Sequence, residues 1–209
     1  VLLKPLHQAE ADGDDIWAVV KATATNHAGA GQAYQVPNVQ GQVQVMREVL
    51  RRAGVAGETI GCVEAAASGG LGDAMEVAAL RQVIGGADAG PCALGSVKSN
   101  LGHAEAASGI TQLTKVLLQL RHGVLAPTIR SEPINPNVQL DGTRLRLQRA
   151  VGEWTRLGDL PRRALINAFG AGGSNASAIV EEYTGAAALP AVSTIDAPQV
   201  LVFSGRTAA

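Results

Sequence analysis

The sequence predicts a layered α/β domain, and three observations carry that expectation. Apolar, β-branched segments alternate with segments of helical period, and paired strands follow them. Aliphatic residues and 25 glycines abound while aromatics make up only 3% of the 209 residues, which suits close-packed layers and argues against disorder. The length is enough for one substantial core or two small ones.

The elements follow in order. "IWAVVKATATNHAG" reads as a strand ending at Asn26-His27. A helix is expected at roughly 41–53, with Met46, Val49, Leu50 and Ala53 on one face and Gly54 just past its end. "TIGCVEA" is a second strand, followed by an alanine- and glycine-rich turn and a helix from Asp73 to about Ile84. Asp73 and Glu76 have the spacing of a capping pair, which is preferred over a catalytic acid/base pair. "CALGSVKS" is a third strand, and a long helix at about 104–121 carries Ile110, Leu113, Val116, Leu117 and Leu120 on one side. "RLRLQRA", "RRALINAFG" and "SAIVEEY" read as later strands. "GAAALPAVSTIDAP" is linker-like, and "QVLVFSG" begins another strand.

Composition excludes several function classes. A net charge of −1 without a Lys/Arg block gives no nucleic-acid footprint. No apolar run approaches the ~18–20 residues of a membrane span, and "VLLKPL" lacks the layout of a signal peptide. Cys62 and Cys92 are far apart, without metal spacing, and are read as core residues in a reducing, cytoplasmic setting. The chain lacks an initiator Met and is read as starting mid-strand, so a piece of a longer protein is expected.

The four histidines show no metal-ligand spacing, and His7 and His122 are expected at the surface. "SGGLG" and "FGAGGSN" lack the Lys-Ser/Thr of a phosphate loop, and the sequon at Asn175 has no secretory signal beside it. "KSNLGHAEAASG" stands out, with Lys98 at a strand end and His103 at a helix entrance. The positive end of a helix favours a neutral imidazole, which can donate to a developing oxyanion with Lys98 in support. Spacing alone favours the plainer reading, a capping His103 and a solvated Lys98.

Taken together, "ATNHAG", "VPN", "VEA…LGDAMEVAAL", "GSVKSNLGHAEAASGI" and "FGAGGSNAS" resemble, in this order, the C-terminal half of a β-ketoacyl synthase, specifically a modular polyketide synthase ketosynthase. The resemblance covers roughly residues 1–183, and 184–209 resembles a linker and the start of the flanking segment after such domains. The stretch from "PCALGSVKSNLGH" through "LLQLRHG" looks most like assembly lines whose acyltransferase acts in trans. The resemblance implies one half of a thiolase fold acting as a homodimer, with a nucleophilic Cys in the N-terminal half and two His in the C-terminal half. It implies no bound cofactor; the phosphopantetheine arm of an acyl carrier protein brings the substrate. The implied partners are that carrier protein, the N-terminal half, the dimer mate and other polyketide synthase domains.

Residue by residue, His103 matches the second catalytic His and Lys98 the supporting Lys. Glu105 matches an acidic position behind the site, and Ala171 stands where a Phe is usual and where a backbone N–H serves the oxyanion hole. The family's His-Gly-Thr-Gly-Thr turn is "AASGG" here, one residue shorter before Leu71. Ala66 then falls at the first catalytic His, Ser68 keeps a hydroxyl toward pantetheine, and Gly70 loses one. The leading expectation is a ketosynthase that transfers acyl chains without elongation. The alternatives are an inactive scaffold resembling a chain-length factor, and an elongating enzyme in which His27 substitutes. The isolated half is expected to expose a sheet face.

Overall fold

The computed structural model describes residues 1–29, 36–86 and 89–185. In chain order these form α1 (Leu6–Ala11), β1 (Ala18–His27), α2 (Val39–Ala53), β2 (Cys62–Glu64), α3 (Leu71–Arg81), β3 (Cys92–Gly95), the single turn α4 (Lys98–Leu101) and α5 (Ser108–His122). Then come β4 (Val124–Leu125), β5 (Leu145–Leu147), β6 (Gly152–Glu153), β7 (Arg163–Phe169) and β8 (Ser174–Glu182). Short 3-10 turns occupy Gly57–Thr59 and Glu105–Ala107.

One six-stranded sheet runs β1-β8-β7-β2-β3-β5; β4 and β6 make a separate two-stranded ribbon. The strands β7, β2, β3 and β5 are parallel, and β8 is antiparallel to both β7 and β1. Along β7 the side chains alternate between two cores, as the period of two requires: Leu165 joins one, Ala164 and Ile166 the other. The first core packs Val43, Met46, Val49 and Leu50 of α2 and Val77 and Leu80 of α3 onto the sheet. The second packs Val116 and Leu120 of α5, with Trp154, onto the opposite face. Gly54 ends α2 at φ 65° and Gly123 ends α5 at φ 63°, the left-handed stop that glycine makes without cost.

Several expectations are corrected. Residues 1–5 lie in no strand and lead into α1, so the start is not mid-strand. Six residues are too few to show a period, which hid α1. The strand of "TIGCVEA" shrinks to Cys62–Glu64 because Gly57–Thr59 coils into a 3-10 turn. The third helix begins at Leu71, with Gly70 in the cap position, and not at Asp73. Lys98 opens α4 and does not end a strand, and the long helix starts at Ser108, after a 3-10 turn. Ile110 is 47% exposed and lies off the buried face of α5. Helices pack on both faces of the sheet, and exposed apolar side chains sit on α5 (Ile110, Leu118), at helix ends (Leu71, Leu101) and on the sheet itself at Val20 of β1. The linker and following strand expected beyond residue 185 lie outside the described residues.

Arg144 fixes the described residues of the loop after α3. It is 1% exposed; Nε donates to the Gly90 carbonyl at 2.7 Å, and Nη1 to those of Gly57 and Ile84, both at 3.2 Å. Gly57 lies so close to that loop that a Cβ there would stand 2.2 Å from the Val83 carbonyl oxygen. Gly57→Ala is therefore predicted to destabilise the domain by about 3 kcal/mol through forced backbone movement. Denaturant unfolding checks this; an unchanged midpoint would show that the loop yields.

Candidate active site

The turns that leave β2, β3 and β7 emerge together at the carboxyl ends of parallel strands, where open α/β sheets place their ligands. A cleft of about 790 Å³ opens there and brings together Ala66, Ser68, Gly70, His103 and Ala171. Lys98 and Glu105 do not line it. Lys98 acts from behind the wall, its ammonium donating to the Ala66 carbonyl.

The turn after β2 is held almost atom by atom. Ala65 donates to the Gly95 carbonyl at 2.8 Å, and its own carbonyl accepts from Gln112 Nε2 at 3.0 Å. The Ala66 N–H donates to Glu76 Oε1 at 3.1 Å. The Ala67 carbonyl accepts from Ser96 Oγ at 2.9 Å. Ser68 and Gly69 donate to the two carboxylate oxygens of Asp73, at 3.1 and 2.9 Å. The Ala66 side chain is a methyl group with nothing to donate or accept.

These contacts overturn the capping-pair reading of Asp73 and Glu76. Asp73 sits in the first turn of α3 and reaches back to the preceding N–H groups, which local spacing allows. Glu76 instead points inward, is 3% exposed and accepts from the Asn167 amide at 3.0 Å as well as from Ala66. Asn167 in turn accepts from Ser177 at 2.8 Å, so the network runs from β8 through β7 to α3. Burial pushes the Glu76 carboxyl up to about 7. Burial also pulls the Lys98 ammonium down, against the opposing pull of Glu76 and Glu64. Glu64, fully buried at the end of β2, accepts from the Val97 N–H at 2.6 Å and pairs with Lys115 of α5 at 2.7 Å. Burial raises its carboxyl too, with Lys115 opposing.

His103 is half exposed on the other side of the cleft. Its Nδ1 accepts from the Glu105 N–H at 2.9 Å and lies 3.3 Å from Ser108 Oγ. A ring that accepts at Nδ1 carries its proton on Nε2, which is free to donate. Glu105 serves through its main chain, held at φ 47°, a left-handed conformation that costs a non-glycine residue about 1 kcal/mol or more. Its carboxylate is 88% exposed and 3.9 Å from the imidazole. Ala171 lies in the turn between β7 and β8, where Gly170 pairs with Ser174 at 2.8 Å and Gly173 with Gly170 at 3.0 Å.

His27 does not line the cleft. It accepts from the Gly29 N–H at 3.0 Å and packs against the Gly173 turn. Both cysteines are buried, and burial pushes the Cys92 thiol up to about 12, so neither is an activated thiolate. Among the described residues no cluster of His, Cys, Asp and Glu is arranged to hold a metal, and no helix is long and apolar enough to cross a membrane. The sequence reading missed Asn38, Gln42 and Phe169, which also line the cleft. Gln42 could have been found, since it lies one turn before Met46 on the buried face of α2.

The raised Glu76 carboxyl yields a pH prediction. The folded state holds a proton that the unfolded chain, with an ordinary carboxyl near 4.5, has released, so stability falls as pH rises from about 4.5 to 7 and levels off above. Glu76→Gln removes this slope, so its stability relative to the unsubstituted protein should grow across that window by on the order of 3 kcal/mol. Urea unfolding of both proteins at pH 5 and pH 8 measures the gap; a gap independent of pH would refute the assignment.

Comparison with known proteins identifies the setting. Residues 17–132 match the family described as "Beta-ketoacyl synthase, C-terminal domain". The chain is 49% identical over 192 residues to polyketide synthase PksR of Bacillus subtilis (strain 168) and 50% identical over 186 residues to polyketide synthase ThaG of Burkholderia thailandensis. Those matches cover 88% and 87% of this chain but only 8% and 3% of the two synthases. Among solved structures, the oxazolomycin ketosynthase domain OzmH KS7 of Streptomyces albus JA3453 superposes with a TM-score of 0.83 at 47% identity, covering 87% of this chain and 34% of that one. The ketosynthase from module 6 of the bacillaene synthase of Bacillus subtilis 168 gives 0.82 at 33%, covering 87% and 33%. The chain thus spans about a third of the solved ketosynthases it matches. With its parallel strands and covering helices, it belongs to the β-ketoacyl synthases of polyketide synthases, as part of their C-terminal, thiolase-fold domain.

Proposed function

We propose that this chain is the C-terminal part of a ketosynthase that passes an acyl chain from one carrier protein to the next without decarboxylative elongation. The observation that carries the proposal is Ala66: its turn is bonded throughout, yet the side chain facing the cleft is a methyl group where the family resemblance expects the first catalytic histidine. The wording of the sequence around Lys98 and His103 supports a place in an assembly line whose acyltransferase acts in trans.

Acyl transfer asks little of position 66. A cysteine thiolate of the N-terminal half attacks the thioester carbonyl; the new carbon–sulfur bond forms as the bond to pantetheine breaks, and the departing thiolate takes up a proton. Main-chain N–H groups meet the oxyanion, and Ala171 supplies one. Ser68 and Gly70, exposed at the mouth of the cleft, stand where the pantetheine arm enters. Condensation asks more. Loss of carbon dioxide from a malonyl unit leaves negative charge on a thioester enolate, which two imidazoles would stabilise. His103 offers Nε2–H, Lys98 keeps a cation behind the wall, and Glu105 fixes the ring through its N–H. Ala66 offers nothing, and losing one such donor costs about 10²–10³ in rate. His27, turned to the Gly173 turn, is no substitute.

The working enzyme on this reading is a homodimer of complete domains, served by acyl carrier proteins and flanked by other polyketide synthase domains. Intact-mass measurements on the complete domain with an acyl-carrier thioester and malonyl carrier protein test it. Acyl-enzyme should accumulate without a product lengthened by one malonyl-derived unit, and Ala66→His should raise whatever trace of condensation exists. Extended product formed as fast as acyl-enzyme would refute the proposal, and folded protein that never loads would favour an inactive scaffold.

A further inference from the structure

Glu64 closes β2 and is wholly buried, which a carboxylate tolerates only with partners. It has two. Oε2 takes the Lys115 ammonium of α5 at 2.7 Å, the lysine side chain itself only 10% exposed, and Oε1 accepts from the Val97 N–H at 2.6 Å. Gly95, the register partner of Glu64 on β3, leaves the room: a Cβ there would stand 3.2 Å from Lys115 Nζ and 3.0 Å from Thr128 Oγ1. A buried ion pair adds little stability over apolar side chains of similar volume, so this one asks for another reason.

The reason lies in what Oε1 holds. Three successive residues after β3 bond back to β2 and its turn: Ser96 Oγ to the Ala67 carbonyl at 2.9 Å, the Val97 N–H to Glu64, and the Lys98 ammonium to the Ala66 carbonyl. Of the three donors only that of Val97 is main chain, and Val97 directly precedes α4, whose first residue is Lys98. A lysine side chain has many rotamers, so reaching one carbonyl depends on where its backbone starts. The Glu64 bond sets that start, and at 2.6 Å it has the shortness of a charge-assisted bond. The charged groups about Lys98 are Glu64 from β2, Asp73 and Glu76 from α3, and Lys115 of α5 through Glu64.

We infer that Glu64 is a positioning residue for Lys98: through the Val97 N–H it sets the turn that carries the ammonium to the Ala66 carbonyl, with Lys115 as its counter-ion from α5. The consequence for catalysis rests on the reading of the cleft as the acyl-transfer site, where a cation fixed behind the Ala66 carbonyl favours negative charge developing on a thioester oxygen. The placement itself stands on the bonds alone. Glu64 also contributes charge, since burial pulls the Lys98 ammonium down and Glu64, with Glu76, opposes that pull.

The test is trace acetylation of the complete domain across pH, read lysine by lysine by mass spectrometry, with the exposed Lys21 as reference. For each lysine the plateau at high pH reports access, and the midpoint reports how readily the ammonium gives up its proton. Glu64→Gln keeps an acceptor for Val97 but not the charge, so the Lys98 plateau should stay and its midpoint should move down. Glu64→Leu removes both, so the Lys98 plateau should rise about tenfold as the turn opens, with Lys21 unchanged. A Lys98 plateau that rises as much in Glu64→Gln, or in Glu64→Leu no more than that of Lys21, overturns the inference. Should the leucine variant fail to fold, a Lys98 midpoint unmoved in Glu64→Gln overturns it equally. Because labelling needs no acyl chemistry, a domain that shows the expected pattern yet forms no acyl-enzyme supports this inference while refuting the transfer reading.

Discussion

The main chain of Ala66 is gripped on both sides, its N–H by the Glu76 carboxyl and its carbonyl by the Lys98 ammonium, and the site is organised around that grip. Two ionisable groups of opposite sign favour one another's charged form there. Burial drives the carboxyl toward neutrality and the ammonium toward deprotonation, and each counters the other. Each group binds a main-chain atom of the same residue, so together they commit the fold to this conformation of the turn.

The grip also joins the two cores. From the face of α2 and α3 comes Glu76, which ties the turn to Asn167 and through it to Ser177. From the opposite face comes α5, whose Gln112 reaches the carbonyls of both Ala65 and Asn167 and whose Lys115 pairs with Glu64. The carboxyl ends of the neighbouring strands β2 and β7 are therefore cross-linked by side chains of helices on both sides. Every one of these bonds to the turn goes to main-chain atoms, and none needs a side chain at position 66. An alanine there is compatible with the whole scaffold, which accounts for a fully built turn that presents so little chemistry.

Much of this architecture was legible in the sequence. The 3.6-residue spacing of Met46, Val49 and Leu50 and the alternation along β7 are direct consequences of which faces are buried. The ordered motifs pointed to Ala66, Ser68, Gly70, His103 and Ala171, and all five line the cleft, with Lys98 bonded to its wall from behind. Glu76 was legible only as a helix-end acid, because its decisive partner, Asn167, lies 91 residues away and local spacing is silent about distant contacts. Glu105 was read for its carboxylate, whereas its main-chain N–H carries the contact, and no side-chain identity encodes a backbone angle. The ribbon of β4 and β6, two residues per strand, is too short for any period to show.

The central claim, that the turn is rigidly built although its side chain is inert, is tested most directly by hydrogen exchange at residues 64–70 in the complete domain. If Glu76, Asp73 and the neighbouring strand hold the N–H groups as described, the amides of Ala65, Ala66, Ser68 and Gly69 should exchange nearly as slowly as those of β2 and β7. Exchange at the rate of an open loop would contradict the account, and would mean that the bonds to the turn do not hold it.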